Sequence, residues 1–325
     1  MPEHTPSSAA PWLAFFPVTL FATVMGLTGM TLSWQKAAYS LGVNPLVGQV
    51  LLIVAACVLL IITTIYMFKC VQHRERVLGE LEHPIQISFF PAFSISLLLL
   101  SIATYEVSVS LSHYLWLCGA GLHLILTLFV MNQWIHHTRY QIQHITPAWF
   151  IPVVGNIIAP IAGVEHGHTE ASWFFFSIGL IYWVVLKTLV FNRILFHDPL
   201  PEKLLPTLFI MIAPPAIGFV SYLQLNAGEL DNFARILYFS ALFITLLLFT
   251  QWPRFSRLPF SLAWWAYSFP LAAFSIATQS MWLQTREPFF VVLGWLSLIL
   301  VTFVVILLMI KTVKAITQGQ LFRAE

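Results

Sequence analysis

The side chains that could do acid–base, metal or nucleophilic chemistry are few in this sequence, and they do not group. His136, His137 and His144 follow one another with no Cys or acid between them, a poor ligand set for a metal. His166 and His168 stand with Glu165 and Glu170, a quartet that could bind a metal weakly or simply solvate a loop. His123 and Lys187 lie inside apolar runs, where an ionisable group is a functional candidate by default. Lys187 is close enough to the end of its run to reach the interface; His123 could hydrogen-bond a neighbouring helix or relay a proton. Cys57, Cys70 and Cys118 have no ligand spacing and are expected to be small buried hydrophobes. No nucleophile–base pair, metal-binding helix motif or nucleotide loop occurs, so no enzyme and no cofactor is expected. What does recur is proline. Pro11, Pro84, Pro147, Pro206 and Pro259 open successive apolar stretches, and Pro17, Pro91, Pro152, Pro214 with Pro215, and Pro270 stand inside them. An interior proline removes one backbone hydrogen bond and kinks a helix. Broken helices gathered round a lumen would present helix ends of partial positive charge, with Ser and Thr hydroxyls as further weak donors, and such sites suit a passing anion.

The elements that must position these residues follow from composition. Apolar residues make up 59% of the 325 and charged residues 9%, against about 45–50% and about 25% in soluble domains. A surface so poor in charge belongs in a bilayer. Ten stretches reach the length of about 20 apolar residues that a spanning helix needs: 12–34, 46–68, 85–105, 109–134, 147–163, 172–191, 206–225, 233–252, 260–279 and 289–311. The fifth is short and carries Pro152, Asn156 and Pro160; a broken helix is tolerated at membrane depth only where protein or water covers it. No Lys or Arg precedes the first, so it is expected to be a retained span and not a cleaved signal. Lys69, Arg74, Arg76, Arg139, Arg193, Lys203, Arg254, Arg257, Lys311, Lys314 and Arg323 fall on the side of the even-span loops and the tail, and only Lys36, Arg235 and Arg286 on the other. That bias puts both termini in the cytoplasm. A net charge of +2 with scattered basic residues argues against nucleic acid.

Odd and even spans differ in kind. Every interior proline lies in an odd span, and the odd spans contain no Asp, Glu, Lys, Arg or His. Their polar residues are neutral, among them Thr19, Thr23, Asn156, Ser268 and Ser275, and small residues such as Gly26, Gly29, Gly155 and Gly218 accompany them. The pattern predicts five kinked odd helices around a pore and five even helices facing lipid. Phe16, Pro17, Phe90, Pro91, Phe150, Pro152, Pro214, Pro215, Ser268 and Pro270 are the expected pore-lining residues.

The stretch Ala263-Trp264-Trp265-Ala266-Tyr267-Ser268-Phe269-Pro270 resembles the ninth helix of the tellurite-resistance/dicarboxylate transporter family. That family includes the bacterial TehA-like proteins, the yeast malate and sulfite exporters and the plant guard-cell slow-type anion channels. Ile212-Ala213-Pro214-Pro215-Ala216 resembles its seventh-helix motif, and Asn226-Ala227-Gly228-Glu229-Leu230-Asp231 the loop that follows. Glu82-His83-Pro84 is similar to the entry of its third helix, and Pro152-Val153-Val154-Gly155-Asn156 to that of its fifth. The resemblance implies an all-α polytopic membrane protein of ten transmembrane helices, five helical hairpins with quasi-five-fold symmetry around a central pore. It also implies a homotrimer with one pore per protomer and a phenylalanine gate on the ninth helix, which by motif is Phe269. The domain plan expected is a disordered tip at 1–10, a transmembrane anion channel or transporter domain at 11–315, and a cytoplasmic tail at 316–325. The place expected is a bacterial inner membrane, among lipids, with small anions as the partners. Two functions stay open. One is an anion channel occluded by Phe269. The other is a proton-coupled or facilitated transporter of dicarboxylate, sulfite or tellurite-type oxyanions, although the odd spans offer no titratable group for coupling.

Overall fold

The computed structural model describes residues 11–322; the expected tip at 1–10 and the last three residues of the expected tail lie outside them. Within that range the chain is helical, with no strand among the described residues. In chain order the α-helices are α1 (Phe21–Ser40), α2 (Pro45–Gln72), α3 (Arg74–Glu82), α4 (Pro91–Thr104), α5 (Val109–His136), α6 (Phe150–Val154), α7 (Pro160–Gly163), α8 (Thr169–Phe196), α9 (Ala213–Leu225), α10 (Asn232–Phe249), α11 (Trp252–Phe255), α12 (Ser268–Thr285) and α13 (Pro288–Thr317). Seven helical segments are long and apolar enough to cross a membrane: α2, α5, α8, α10, α13, Gln86–Thr104 and Glu202–Leu225. The other segments expected to span, around α1, Pro147–Gly163 and α12, are shorter or richer in small and hydroxylated residues.

Unbroken and split segments alternate. Each of α2, α5, α8, α10 and α13 runs without interruption. Before each stands a segment that begins as 3-10 helix and continues as α-helix. Pro11–Phe15 and Val18–Leu20 lead into α1, and Gln86–Phe89 into α4. Pro147–Trp149 leads into α6, and Gly155–Ile158 separates α6 from α7. Glu202–Ile212 leads into α9 and Leu262–Tyr267 into α12. The prolines expected to kink continuous helices stand mostly at these joints instead. Pro91 and Pro160 are the first residues of α4 and α7; Pro214 and Pro215 follow the first residue of α9, and Pro270 is in the first turn of α12. A first-turn N–H has no intrahelical acceptor, so its absence costs nothing there. Pro152 is likewise the third residue of the short α6, as Pro270 is of α12. Pro206 does not open its segment but lies inside a 3-10 run of 11 residues, well beyond the usual three or four.

Split segments leave carbonyl groups without helical partners, and neighbouring side chains take them up. Around the third split segment Asn156 Nδ2 donates to Val153 O (2.7 Å), Trp116 Nε1 to Ala159 O (2.8 Å) and the Ser221 hydroxyl to Ile157 O, while Thr127 Oγ1 lies 2.6 Å from Pro152 O. At the first, Lys69 Nζ donates to Phe16 O (2.8 Å) and pairs with Glu80 (2.7 Å) from α3. Lys69, placed in a loop by sequence, is thus fully buried at the end of α2.

The split segments pack on one another in a closed circuit: α1 on α4 and α12, α12 on α9, and both α4 and α9 on the region Gly155–Gly163. Each unbroken helix packs on the split segment that precedes it. Between 28% and 39% of the apolar window is buried in the five unbroken helices, against 72% and 78% in the two long split segments. The inward stripe of α2 is Gly48, Leu52, Ala55, Leu59, Ile62 and Tyr66, at helical spacing. Its other face shows Leu60, Ile61 and Phe68 outward, a surface that suits lipid and not water. The three cysteines sit on such outward faces and are exposed, contrary to the expectation of burial. α1 also runs past residue 34 to Ser40, which takes Lys36 into the helix.

Close approach depends on absent side chains. A Cβ on Gly179 of α8 would lie 2.8 Å from both Cβ and N of Ile157, a backbone atom that cannot step aside. Gly179→Ala is therefore expected to lower stability by about 1–3 kcal/mol, read as a lower thermal midpoint in detergent; an unchanged midpoint would mean that α8 can shift outward freely.

Candidate permeation pathway

Three cavities follow one another along the split segments. The first, of about 160 Å³, is lined by the N-terminal portions of all five, with Thr19, Gln86, Ile151, Thr207 and Trp265 among its residues. The third, of about 460 Å³, is lined by their C-terminal portions, including Leu32, Leu99, Ile161, Ile217 and Ile276. The five segments therefore run the same way around a common axis. Between these two lies a narrow cavity of about 40 Å³ with Phe150, Val154, Gly155, Ala213 and Pro214 in its wall. Such a volume holds about one or two water molecules. Met25, Ile151 and Ile210 border both the first and the narrow cavity, Ile217 borders the narrow and the wide one, and Phe269 borders all three. The bottleneck is wholly apolar.

Phe269 is the second residue of α12 and is 8% exposed. Its position rests on the α1–α12 contact. A Cβ on Gly29 would lie 3.2 Å from the Phe269 ring and 3.0 Å from Ala272 Cβ, and one on Gly26 would collide with Ser268 Oγ at 2.2 Å. Further along, Ser33 Oγ donates to Ser275 Oγ (2.8 Å), Ser40 Oγ to Gln279 Oε1 (2.9 Å) and Gln279 Nε2 to Ser275 Oγ (3.1 Å). Small residues bring the helices together and polar ones hold their register.

Of the expected lining residues, Phe150 and Pro214 wall the narrow cavity and Pro270 the first one. Ser268 turns aside, with its hydroxyl on Trp265 O (2.6 Å) and its bulk against Gly26. Phe90 packs on Tyr66 (centroids 6.3 Å apart), and its neighbour Phe89 lines the cavity in its place. Phe16 lines a separate pocket beside α2 and α13, where its ring stacks on Phe322 at 5.4 Å. Pro17, Pro91, Pro152 and Pro215 are not among the lining residues of the three axial cavities.

The wide cavity holds what the sequence pattern placed off the path. Lys36, Glu106 and Glu165 all line it. Glu106 accepts a hydrogen bond from Tyr39, and Glu165 accepts one from Gln224 Nε2 (3.0 Å). The odd-segment helix α1 thus carries a titratable group on the axis. The helical period could have revealed it, because Lys36 lies three turns beyond Met25 on the same face.

His166, expected with His168, Glu165 and Glu170, lies instead in a histidine cluster beside this cavity. His113 Nε2 and His168 Nε2 share a hydrogen bond of 2.8 Å, and Ser112 Oγ lies 2.9 Å from His166 Nε2. The His113 and His166 rings stack at 4.9 Å, and Tyr105, which lines the wide cavity, lies 5.4 Å from His166. No group of three or more ligand side chains is arranged for a metal among the described residues. His123 is buried, with Nδ1 2.9 Å from Ser94 Oγ on the neighbouring α4. Lys187 sets its ammonium 5.1 Å from the Trp183 ring.

Long outward-apolar helices around a core of split segments with cavities on its axis define a polytopic helical membrane protein. The chain belongs to the SLAC1 family of voltage-dependent anion channels, which residues 15–313 match; the resemblance read from its motifs is borne out. It is 31% identical over 275 residues to the S-type anion channel SLAH2 of Arabidopsis thaliana, covering 82% of this chain and 53% of that protein. It is 27% identical over 278 residues to the guard cell S-type anion channel SLAC1 of the same plant, covering 82% and 50%. The tellurite resistance protein TehA homolog of Haemophilus influenzae is 26% identical over 314 residues, covering 94% and 92%. The chain spans about half the length of these plant relatives.

Burial, then the neighbouring His113 and His168, hold the His166 imidazole below its ordinary pKa, against an opposing pull from Glu165. The folded protein therefore takes up this proton at lower pH than the unfolded chain does. Stability is expected to fall as pH drops from about 7 to about 5, and His166→Gln should make the fall shallower. Thermal midpoints at several pH values check this; equal slopes in the two proteins would count against it.

Proposed function

We propose that the protein is an anion channel whose five split segments form an inner ring, whose five unbroken helices form an outer one, and whose axial passage is closed by Phe269. On this reading the chain spans the membrane ten times as five hairpins in quasi-five-fold array, and it assembles as a homotrimer in a bacterial inner membrane. The basic residues assign the first cavity to the cytoplasmic side and the wide cavity to the opposite side. The observation that carries the reading is that one side chain, Phe269, borders all three cavities, while the other aromatic ring of the bottleneck, Phe150, borders the narrow cavity alone. A bulky apolar ring in so narrow a passage stops ions by steric contact and by keeping water out. Membership in a family of anion channels supports the ion class.

Selectivity for anions fits the split segments. The helices α9 and α12 begin beside the bottleneck, with Ala213, Pro214 and Phe269 in its wall. Helix N-termini carry about half a positive charge each. They favour an anion without the tight hold of a fixed arginine, and weak sites let an ion leave. A second reading, proton-linked transport of a small acid, draws on Lys36, Glu106 and Glu165 in the wide cavity.

Anion current through purified protein in planar bilayers separates the two. Wild type should be nearly silent and Phe269→Ala should conduct anions at least about tenfold more, a barrier drop of roughly 1.4 kcal/mol or more. If neither conducts and uptake follows a proton gradient, the channel reading fails and the transporter reading replaces it.

A further inference from the structure

Lys36 is the one basic residue that lines any of the three axial cavities. It is half-buried, and it takes no part in the one side-chain ion pair that joins two described residues, Lys69 with Glu80, so no carboxylate compensates it. The carboxylates that share its cavity are engaged elsewhere, Glu106 by Tyr39 and Glu165 by Gln224. Both are exposed, whereas Lys36 lies one helical turn deeper along α1 than Tyr39. An ammonium drawn partly out of water without a counter-charge is costly. A mobile anion supplies that charge.

Building on the channel reading, we propose that Lys36 is a binding station for the transported anion in the wide cavity, and that it takes a small anion carrying one charge. The ammonium is a compact point charge with rotatable donors, not a fork that matches a carboxylate in two places. The nearby glutamine amides and the Ser280 hydroxyl are turned at least in part to backbone carbonyls: Gln35 Nε2 donates to Ala103 O (2.9 Å), Gln284 Nε2 to Gly228 O (2.9 Å) and Ser280 Oγ to Ile276 O (2.9 Å). A second negative charge on the ligand would meet no second cation and would face Glu106 and Glu165. The 460 Å³ of the cavity leaves room for the anion with part of its water shell. The station holds the ion short of the apolar bottleneck and raises its local concentration there.

The test uses Phe269→Ala as the conducting background, with chloride as the probe and Lys36→Gln and Lys36→Arg added separately. Lys36→Gln should raise the half-saturating chloride concentration for entry from the wide-cavity face roughly tenfold. Entry from the other face should change little, and Lys36→Arg should keep the parent behaviour. Succinate should compete with chloride at least about tenfold less well. A normal current with unchanged half-saturation in Lys36→Gln overturns the station and leaves the channel reading standing, and equal competition by succinate overturns the single-charge preference. If Phe269→Ala passes no current, the channel reading falls, and the station is judged by chloride-dependent thermal stabilisation in detergent at constant ionic strength. A shift present in wild type and Lys36→Arg but lost in Lys36→Gln supports it; equal shifts in all three overturn it.

Discussion

A backbone carbonyl inside an apolar environment must find its hydrogen bond within the protein, and the architecture of this chain is organised around that requirement. Proline supplies no N–H, so wherever it stands the ladder of helical bonds is one short. The chain places Pro91, Pro160, Pro214, Pro215 and Pro270 where the shortage is harmless, in the first turn of an α-helix. What remains unpaired in the preceding 3-10 stretches is met from outside: Trp116 reaches Ala159, Ser221 reaches Ile157 and Lys69 reaches Phe16. These donors come from neighbouring helices, so a split segment holds its shape only within the whole assembly. The unbroken helices satisfy their own backbones and are free to give their outward faces to lipid.

The same arrangement starts several α-helices partway along the axis and not at its ends. That puts Phe269, the second residue of α12, at the bottleneck and fixes the ring to a helix terminus. The helix itself is held against α1 by Gly26 and Gly29, which remove bulk, and by the Ser33–Ser275 and Ser40–Gln279 contacts, which fix register. Displacing α12 as a body would break that seam. Turning the ring about its own side-chain bonds parts it from Gly29 but leaves the Ser33–Ser275 and Ser40–Gln279 contacts in place, so on the channel reading the barrier can be local while its support is rigid.

Composition made the membrane legible, and the alternation of proline-bearing with proline-free stretches made the two kinds of segment legible. The inward side of each split segment was harder to read. Phe90 was singled out because it adjoins Pro91, as Phe269 adjoins Pro270, but adjacency in sequence is about 100° on a helix; Phe269 does turn to the axis, whereas Phe89 does so in place of Phe90 and the Ser268 hydroxyl turns back to Trp265 O. Phe16 sits ahead of the joint, where a 3-10 stretch and not an α-helix sets the direction, and it faces α13. Lys36 was assigned to a loop because hydropathy falls after Trp34, yet the helix continues to Ser40 behind a small, polar interface. The joints themselves lay beyond sequence reasoning, since a proline is compatible with a kink or with a first turn and only tertiary partners decide between them.

The charges on the axis are unequally placed, and that asymmetry bears on mechanism. Titratable side chains line the wide cavity alone; the narrow cavity is apolar, and the first offers Thr19, Gln86 and Thr207. A coupled transporter must tie the state of its titratable group to which side of the barrier is open. Here such groups stand on one side of Phe269, separated from the other by a neutral bottleneck. A proton bound at Glu106 or Glu165 would change how readily an anion enters the wide cavity, and it would leave the ring itself untouched. On the channel reading, the barrier acts by size and dryness and the vestibule by charge, and the two can be altered independently.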